Sequence, residues 1–485
     1  MSNNDENMSL GLGKVDVKIL KEHVLRYFPK TFRPSLDGNI LALSGEVVIS
    51  HNPALGVPLE TLGFFAFHYT ACNIAVKFAT PKFAICGIYL PPGTTAKELE
   101  VIAKEFGKEA KAYGVEIVGG HTGVYEGINI PLVSTTMFGI KKRESRVAKI
   151  GDRVLVVGEV GAEAYWLYSL AHGLDIKEDF WRKLTCLPIA LKLANVKGVK
   201  VMHDVSEGGI KGSLLEIVKW LNVGLSIRSR DLPLFEGINE LGVDPLIAPS
   251  YGVLVALVDS GSLEEVSQVL DHLGVPYSIV GKVIHEKRLL IDGKVVIRAV
   301  RSELDSLYGV ISSSDPIISC LGRVFKELEE MPEFSKLVPQ VGTNIVYAKE
   351  GAKSLSDVAG LSGRVVVSLG RPKVCGKVVY GGSKYLASFL LEVMKFDVSK
   401  RACVNIKADK NVMRVLKELK LSIRYVPPIR VEDVCPITMV VKCDKKVYDA
   451  YYYPGAHGIE PSIVILARNP SNLLDILKEV INRVN

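Results

Sequence analysis

The sequence has no paired cysteines. Its eight, at Cys72, Cys86, Cys186, Cys320, Cys375, Cys403, Cys435 and Cys443, are scattered, and none forms a C-x-x-C pair. Neither a zinc knuckle nor a disulfide framework is indicated. Glutamine is almost missing, with Gln268 and Gln340 alone, a composition that fits a heat-adapted chain. No apolar run is long enough to cross a bilayer. The start, Met1 to Gly13, is polar and acidic and reads as a frayed tail rather than a signal peptide, so a soluble, cytoplasmic protein is expected. No lysine and arginine block is dense enough for a nucleic-acid arm, and Lys141-Lys142-Arg143 reads as a short solvated strand end. The net charge of +7 suits anionic small molecules as well as nucleic acid and does not choose between them. With no basic arm, the expected partners are phosphorylated small molecules, with no nucleic acid and no membrane.

What is present is an ordinary globular balance, 48% hydrophobic and 23% charged over 485 residues, enough for two or three domains. Strand and helix periods alternate throughout, which makes the fold class α/β, with an α+β front half. Apolar residues at helical spacing run from Glu60 to Phe78, Lys82 to Leu90 reads as a strand, and Thr95 is placed to cap a helix over Ala96 to Tyr113. Strands are expected at Val115 to Val118 and Pro131 to Ile140, closing a first domain over 1–149. A second α/β domain, 150–311, includes a buried strand at Arg153 to Val157, a helix at Gly209 to Leu221 and a strand at Leu289 to Ile297. Ser312-Ser313-Ser314-Asp315-Pro316 is the clearest linker, and a third α/β pattern fills 317–485.

Two glycine-rich stretches stand where strands are expected to end. Gly119-Gly120-His121-Thr122 follows Val115 to Val118, and His203-Asp204-Val205-Ser206-Glu207-Gly208-Gly209 follows Val199 to Met202. Glycine amides exposed at such turns can cradle phosphate oxygens, although most Gly-Gly turns serve positive φ alone. His121 and His203 are phosphate contacts or structural histidines. Asp204 is either a metal or phosphate-water ligand or the cap of the helix starting near Gly208. A third turn, Tyr380-Gly381-Gly382-Ser383-Lys384, opens the helix Tyr385 to Met394. Backbone amides, the helix dipole, the Ser383 hydroxyl and the Lys384 charge would together seat a phosphate, with Ser383 as an N-cap the alternative. Asn344 near the start of one strand, Asn405 and Lys407 on the strand Ala402 to Lys407, and the turn Gly455-Ala456-His457-Gly458-Ile459-Glu460-Pro461 complete the polar clusters.

On Pro91-Pro92-Gly93-Thr94-Thr95, Val118 to Thr122, Ser134-Thr135-Thr136 and His203 to Gly209, residues from about Gly13 to Val310 resemble the aminoimidazole-ribonucleotide (AIR) synthase superfamily, most of all its archaeal synthase-related branch. The superfamily includes thiamine-monophosphate kinase and the hydrogenase-maturation dehydratase. The resemblance implies a two-lobed module whose N-terminal half pairs into a homodimer barrel and whose C-terminal half closes over ATP. Gly119, Gly120, His121, Thr122, Asp204, Glu207, Gly208 and Gly209 would be nucleotide-binding, with Asp204 as a Mg²⁺ ligand. The acidic set of the family is reduced here. Its opening acidic turn corresponds to Pro34-Ser35-Leu36-Asp37-Gly38-Asn39, its Thr/Ser-Asp-Pro to Ser50-His51-Asn52-Pro53, and its Asn-Asp to Asn73-Ile74. Mg²⁺ needs hard anionic ligands, so phosphate binding is expected here without ATP-dependent phosphoryl transfer.

From Leu337 to Val484 the chain resembles the archaeal-type thiamine-phosphate synthase domain. The likeness rests on Val338 to Ala348, Ser354 to Ala359, Gly363-Arg364-Val365, Gly381-Gly382-Ser383, Met394 to Asp397, Asn405-Ile406, Gly458 to Pro461 and Arg468-Asn469-Pro470. The resemblance implies condensation of hydroxymethylpyrimidine diphosphate with thiazole phosphate. Asn344, Gly381, Gly382, Ser383, Lys384 and Asn405 would bind phosphate. Lys407 would serve the leaving diphosphate, Glu460 the pyrimidine side, and His457 would stand in for a missing family residue. Lys407 replaces an arginine, keeping charge without the bidentate fork, and Tyr453 and Ile459 replace polar residues. A non-catalytic protein that binds thiamine-pathway ligands is the alternative expectation.

Overall fold

The structure is a computed structural model that describes residues 13–14, 17–28, 45–206, 208–311, 313, 315–428, 435–456 and 460–484. The chain divides into a front unit, residues 1–168 with 177–309, and a C-terminal unit, residues 169–176 with 310–485.

The front unit carries two sheets. The first contains β1 (Gly13–Lys14), β2 (Val47–Leu55), β3 (Ala79–Leu90), β4 (Glu116–Val124) and β5 (Leu132–Lys141), in the order β1-β4-β3-β5-β2. Only β3 and β4 run parallel within it. Helices α1 (Val17–His23), α2 (Leu59–Ala75) and α3 (Ala96–Tyr113) belong to this half. α3 forms where the pattern places it: Thr95 and Glu98 make a reciprocal capping box, and Gly114 ends the helix in the left-handed region. α2 is apolar all round because it is buried all round, with Phe65, Phe67, Ala71 and Ile74 inaccessible to solvent. β3 begins three residues before the expected Lys82. Pro81, which cannot donate to a ladder, falls where the pairing with β5 slips register.

The second sheet contains β6 (Arg153–Val157), β7 (Val199–Asp204), β8 (Gly224–Ile227), β9 (Leu254–Val258), β10 (Tyr277–Ile284), β11 (Leu289–Ile291) and β12 (Lys294–Val296), in the order β12-β11-β8-β10-β6-β9-β7. With it come α4 (Ala162–His172), α5 (Leu187–Leu193), α6 (Gly209–Leu221) and α7 (Leu263–Leu273). The single strand expected over Leu289 to Ile297 is instead a hairpin. Asp292 (φ 50°) and Gly293 (φ 77°) both take positive φ, the Asp-Gly turn that reverses a strand most tightly.

The C-terminal unit is a sheet covered on both faces. Its strands are β13 (Ile345–Ala348), β14 (Val358–Leu361), a separate hairpin of β15 (Arg364–Ser368) and β16 (Arg371–Cys375), then β17 (Val378–Tyr380), β18 (Ala402–Lys407), β19 (Ile423–Tyr425), β20 (Ala450–Tyr453) and β21 (Ser462–Ala467). The main sheet runs β17-β14-β13-β18-β21-β20-β19. Period-two alternation sorts the side chains. Val404, Ile406, Ile463 and Ile465 pack with α8 (Pro316–Glu329), α10 (Lys410–Glu418) and α12 (Pro470–Val484). Cys403, Val464 and Leu466 pack with α9 (Lys384–Met394) and α11 (Pro436–Asp444). The expected linker ends as a helix start: Asp315 caps α8, its Oδ1 accepting from the amides of Ile317 (2.8 Å) and Ile318 (3.2 Å), with Pro316 at the first helical position.

Candidate functional site

The front unit holds a cavity of about 540 Å³ where its two halves meet. β2 supplies Asn52, Pro53 and Leu55, and α2 supplies Tyr69 and Asn73. Glu163 comes from α4, His203, Asp204 and Ser206 from the end of β7, and Glu216 from α6. Pro249, Tyr251, Asp305 and Tyr308 close it. Asp204 is 9% exposed. With the Asn73 amide turned to satisfy its neighbours, its nitrogen donates to Asp204 Oδ2 (3.1 Å) and its oxygen accepts from Asn52 Nδ2 (2.8 Å). Asn52, which stands where the resemblance puts an acid, thus orients Asn73, and Asn73 in turn holds Asp204. Burial above all pushes Asp204 up to about 6. His203 turns its ring to Glu216 (Nε2 to Oε2 2.8 Å) and to Asp204 (Nδ1 to Oδ1 3.8 Å).

Glu163 is the second buried carboxylate of this cavity, 3% exposed. Tyr308 Oη donates to its Oε1, and the Tyr251 amide donates to its Oε2 at 2.7 Å. Burial pushes it up to about 7 against those two donors. Tyr251 is fixed in turn: its hydroxyl donates to Cys72 Sγ (3.2 Å), and its ring meets Tyr69 edge-on at 4.5 Å. Sequence reading missed Glu163, Glu216, Asp305 and the three tyrosines, which are spread from residue 69 to 308. One signal was there for Glu163, a lone acid inside the apolar run Ala162 to Leu167.

The two glycine-rich stretches are not equivalent. Gly119-Gly120-His121-Thr122 is no turn: it lies within β4, paired with Ile85 to Ile88 of β3. A Cβ on Gly120 would fall 2.2 Å from the Cys86 carbonyl oxygen, so close strand approach accounts for that glycine. β4 is separated from β2 by β3 and β5, three strand spacings or about 14 Å, and none of these four residues lines the cavity. His121 stacks between Tyr89 and Tyr125, ring centroids 6.0 and 5.9 Å away. Gly208 (φ 79°) and Gly209 (φ 60°) do form a turn, leading into α6. The Gly209 amide is spent on the Ser206 carbonyl. Asp204 does not cap α6, whose N-cap Gly208 receives no side-chain bond. Glu207 and the stretch Pro34 to Asn39 lie outside the described residues.

These residues fit a magnesium nucleotide poorly. Among the described residues no group of three or more His, Cys, Asp or Glu is arranged to hold a metal ion. Ile74, where the resemblance puts an acid, is fully buried and packs over Gly139. Among the described residues the lining includes four carboxylates and no lysine or arginine, the reverse of what a polyphosphate needs.

In the C-terminal unit the expected site residues fall at two ends of the sheet. Asn344, Asn405, Glu460 and Lys407 share one end. Asn405 Oδ1 accepts from the Asn344 amide (2.8 Å), and its Nδ2 donates to the Gly342 carbonyl (2.9 Å). Asn344 donates to the Leu361 and Gly363 carbonyls (3.1 and 3.0 Å). Glu460 accepts from the amides of Gln340 (3.1 Å) and Val341 (2.7 Å). These three side chains therefore order the loop 340–344. Lys407 is exposed at the end of β18. Gly381 to Lys384 follow β17 at the other end of β14: the Gly381 amide donates to Val358, whereas Asn344 meets Leu361. The two places are about 10 Å apart along that strand. The amides of Gly381 and Gly382 are already given to the Val358 and Val379 carbonyls, which removes them from a phosphate seat. Ser383, at φ 52°, is the N-cap residue of α9 but makes no side-chain cap bond. His457 lies outside the described residues.

A groove of about 570 Å³ opens beside this Lys407 end, between α10 and the sheet. Lys410, Met413, Arg414 and Lys417 line it from one face of α10, with Ala408, Asp409, Glu418, Tyr452 and Pro461. Ala408 follows Lys407 and Pro461 follows Glu460, so Lys407 and Glu460 border the groove without lining it. Its basic face was legible as Lys410, Arg414 and Lys417 at i, i+4 and i+7.

With the geometry in place, comparison with known proteins assigns both units. Residues 35–141 match the N-terminal domain and residues 149–294 the C-terminal domain of AIR synthase related proteins, and residues 321–479 match thiamine-phosphate synthase ThiN. Carbamoyl dehydratase HypE of Azotobacter vinelandii is 26% identical over 265 residues, 52% of this chain and 76% of that protein. The bifunctional thiamine biosynthesis protein ThiDN of Methanocaldococcus jannaschii is 33% identical over 151 residues, 30% of this chain and 35% of that protein. Among solved structures, hydrogenase maturation protein HypE in complex with ATP is similar with a TM-score of 0.53 and 22% identity, over 60% of this chain and 96% of that one; this likeness shows the fold. The chain joins an AIR synthase related module to a ThiN domain, and the ThiN matches support thiamine biosynthesis and a transferase-type enzyme. Among the described residues no helix is long and apolar enough to cross a membrane.

Proposed function

We propose that the C-terminal unit condenses hydroxymethylpyrimidine diphosphate with thiazole phosphate, and that the front unit binds a ligand without turning it over. The observation that carries the first half is the ThiN match over 321–479 together with the basic groove inside it. In the reaction the thiazole nitrogen lone pair attacks the pyrimidine methylene carbon. The carbon–oxygen bond breaks, its electron pair leaves with pyrophosphate, and the ring nitrogen becomes a permanent cation. Both reactants are anionic. Lys410, Arg414 and Lys417 line the groove with two carboxylates and supply net positive charge to seat phosphate and to stabilise the departing diphosphate. Lys407 is a further cation at the same sheet end. Glu460, held by two amides, acts as a positioning residue for the loop 340–344.

The reading of the front unit as a binding module is supported by its reduced acidic set and its lack of a metal-holding group among the described residues. ATP remains the competing ligand because the similar HypE structure holds ATP. A homodimer through the first sheet is also proposed: on the face of β2 and β3 turned from α2, Ile49 is 61% and Ile85 39% exposed, apolar area that a second copy would cover. The working location is the cytoplasm. The test of the condensation is to mix the full chain with both substrates and follow pyrophosphate release. Turnover is expected, and its absence at saturating substrate would overturn the enzyme reading.

A further inference from the structure

We propose that Cys72 and Cys186 form a redox-active dithiol behind the wall of the front cavity, which a hydroperoxide converts to a disulfide. Neither thiol takes part in the ligand binding or the condensation proposed above. The two cysteines are far apart in the chain, one on the last turn of α2 and the other the N-cap residue of α5. Packing of α2 on α5 brings them together, and the two thiols hydrogen-bond each other. Both are inaccessible to solvent. A buried thiol in apolar surroundings is inert, but this pair has polar company. His68, one turn before Cys72 on α2, hydrogen-bonds the same thiol. Thr185 Oγ1 lies 2.8 Å from His68 Nδ1 and 3.6 Å from Cys72 Sγ. His68 Nε2 meets Glu109 Oε2 at 3.0 Å, and Arg182 lies 3.6 Å from the other oxygen of Glu109.

That set matches what thiol oxidation needs. Glu109 orients an imidazole beside the Cys72 sulfur, the carboxylate, imidazole and thiol order of an activated cysteine. Burial opposes ionisation, yet the hydrogen bonds from Cys186 and His68 hold the Cys72 thiol well below its ordinary value. The bond to Cys72, with burial, holds the Cys186 thiol well above. One sulfur is therefore the nucleophile and the other its proton-bearing partner. Access is through the cavity wall. Tyr251 lines the cavity and its hydroxyl donates to Cys72 Sγ (3.2 Å), so Tyr251 stands between the sulfur and the open volume. Hydrogen peroxide is little larger than water, and displacement of that hydroxyl is the opening it needs. The Cys72 sulfur attacks one peroxide oxygen. The O–O bond breaks, and its electron pair leaves with the other oxygen, which takes from His68 the proton that Cys72 gave up and departs as water. Cys72 is now a sulfenic acid. The Cys186 sulfur attacks it, the S–O bond breaks, and the Cys186 proton leaves with the oxygen as a second water. Two thiols lose two electrons to one peroxide. The disulfide ties α2 to α5 across a long loop, the case in which a cross-link constrains the unfolded chain most. The scarcity of glutamine fits a heat-adapted chain, a setting in which intracellular disulfides persist.

The test uses the full chain, folded and reduced, in a small excess of hydrogen peroxide. At set times the protein is denatured, alkylated and mapped by peptide mass. A linked pair of peptides carrying Cys72 and Cys186 is expected, lighter by two hydrogens than the reduced pair. It should form about tenfold faster than the exposed Cys375 and Cys443 are oxidised. In Cys186→Ser, dimedone should trap a sulfenic acid on Cys72. His68→Gln should slow disulfide formation about tenfold, with thermal melting to show that it folds; where it does not, the Cys186→Ser trapping decides. Full alkylation of Cys72 and Cys186 after Cys375 and Cys443 have been oxidised would overturn the proposal. So would a Cys186 sulfenic acid in Cys72→Ser that forms as fast as the wild-type disulfide.

Discussion

The front cavity and the C-terminal groove are close in size, about 540 and 570 Å³, and opposite in chemistry. The cavity gathers Glu163, Asp204, Glu216 and Asp305 around three tyrosines from segments far apart in the chain. The groove takes Lys410, Arg414 and Lys417 from two turns of one helix. A long-range site can be rewritten one residue at a time, since each wall is supported by its own element. Here the superfamily fold persists while Asn52 and Ile74 stand at positions where the resemblance expects acids. The difference teaches that fold likeness and ligand chemistry have parted in the front unit, whereas in the C-terminal unit the charge still suits phosphorylated substrates.

The largest expected effect tests whether the lost acidic set can simply be restored. Ile74→Asp puts a carboxylate into a fully buried site against Gly139 and should cost about 4 kcal/mol or more of stability, measured by urea unfolding. A mild loss together with new Mg²⁺ binding would mean that the position is still a metal site.

The second effect concerns pH. Burial raises Glu163 to about 7 from 4.5 and Asp204 to about 6 from 3.8. Tyr69, Tyr251, Tyr308 and Asp305 surround the first group, and Cys72, Asn73, His203 and Glu216 the second. A raised acid stabilises the fold fully below its unfolded pKa and loses that contribution as pH rises through its folded value. Stability should therefore fall between about pH 4.5 and 7, by about 3 kcal/mol for Glu163 alone. Glu163→Gln should flatten the profile, read as denaturant midpoints at pH 5 and pH 8. A wild type no more stable at pH 5 than at pH 8 would contradict the buried-acid account of the cavity.

The groove supplies the third. Removing its charges with Lys410→Ala, Arg414→Ala and Lys417→Ala together should lower kcat/KM for the condensation by about 100-fold, or about 2.7 kcal/mol. These residues sit on the groove-lining face of α10, so the melting temperature should move little. The smallest effect is structural: Asp315→Ala removes the α8 cap and the acceptor of the Tyr380 hydroxyl (2.8 Å), worth about 1 kcal/mol. A neutral result would mean that α8 is fixed by its packing alone.

Local signals carried most of the fold and little of the site. The helix Ala96–Tyr113 was readable to the residue because its cap box and its terminal glycine are both local. Gly119-Gly120 misled because a glycine needed for close strand approach looks, in sequence, like one needed for a turn. Gly381-Gly382 is a turn, but which carbonyls take its amides is set by Val358 and Val379, and nothing in the motif states that. Asn344 and Asn405 are expected from the sequence on phosphate with Gly381 to Lys384, and Glu460 on the pyrimidine, whereas the fold brings Asn344, Asn405 and Glu460 to one sheet end away from Gly381. Their side chains are engaged with the backbone, a role that depends on a loop 60 to 120 residues away in the chain. The front cavity was least legible because its acids are isolated in sequence and meet only in the fold.

The central claim is that the C-terminal unit makes the condensation product through its basic groove. Pyrophosphate release by the full chain, with and without the Lys410, Arg414 and Lys417 charges, tests it most directly. The account predicts turnover by the wild type and near loss in the triple variant. No release from the wild type, or equal release from both, would contradict it.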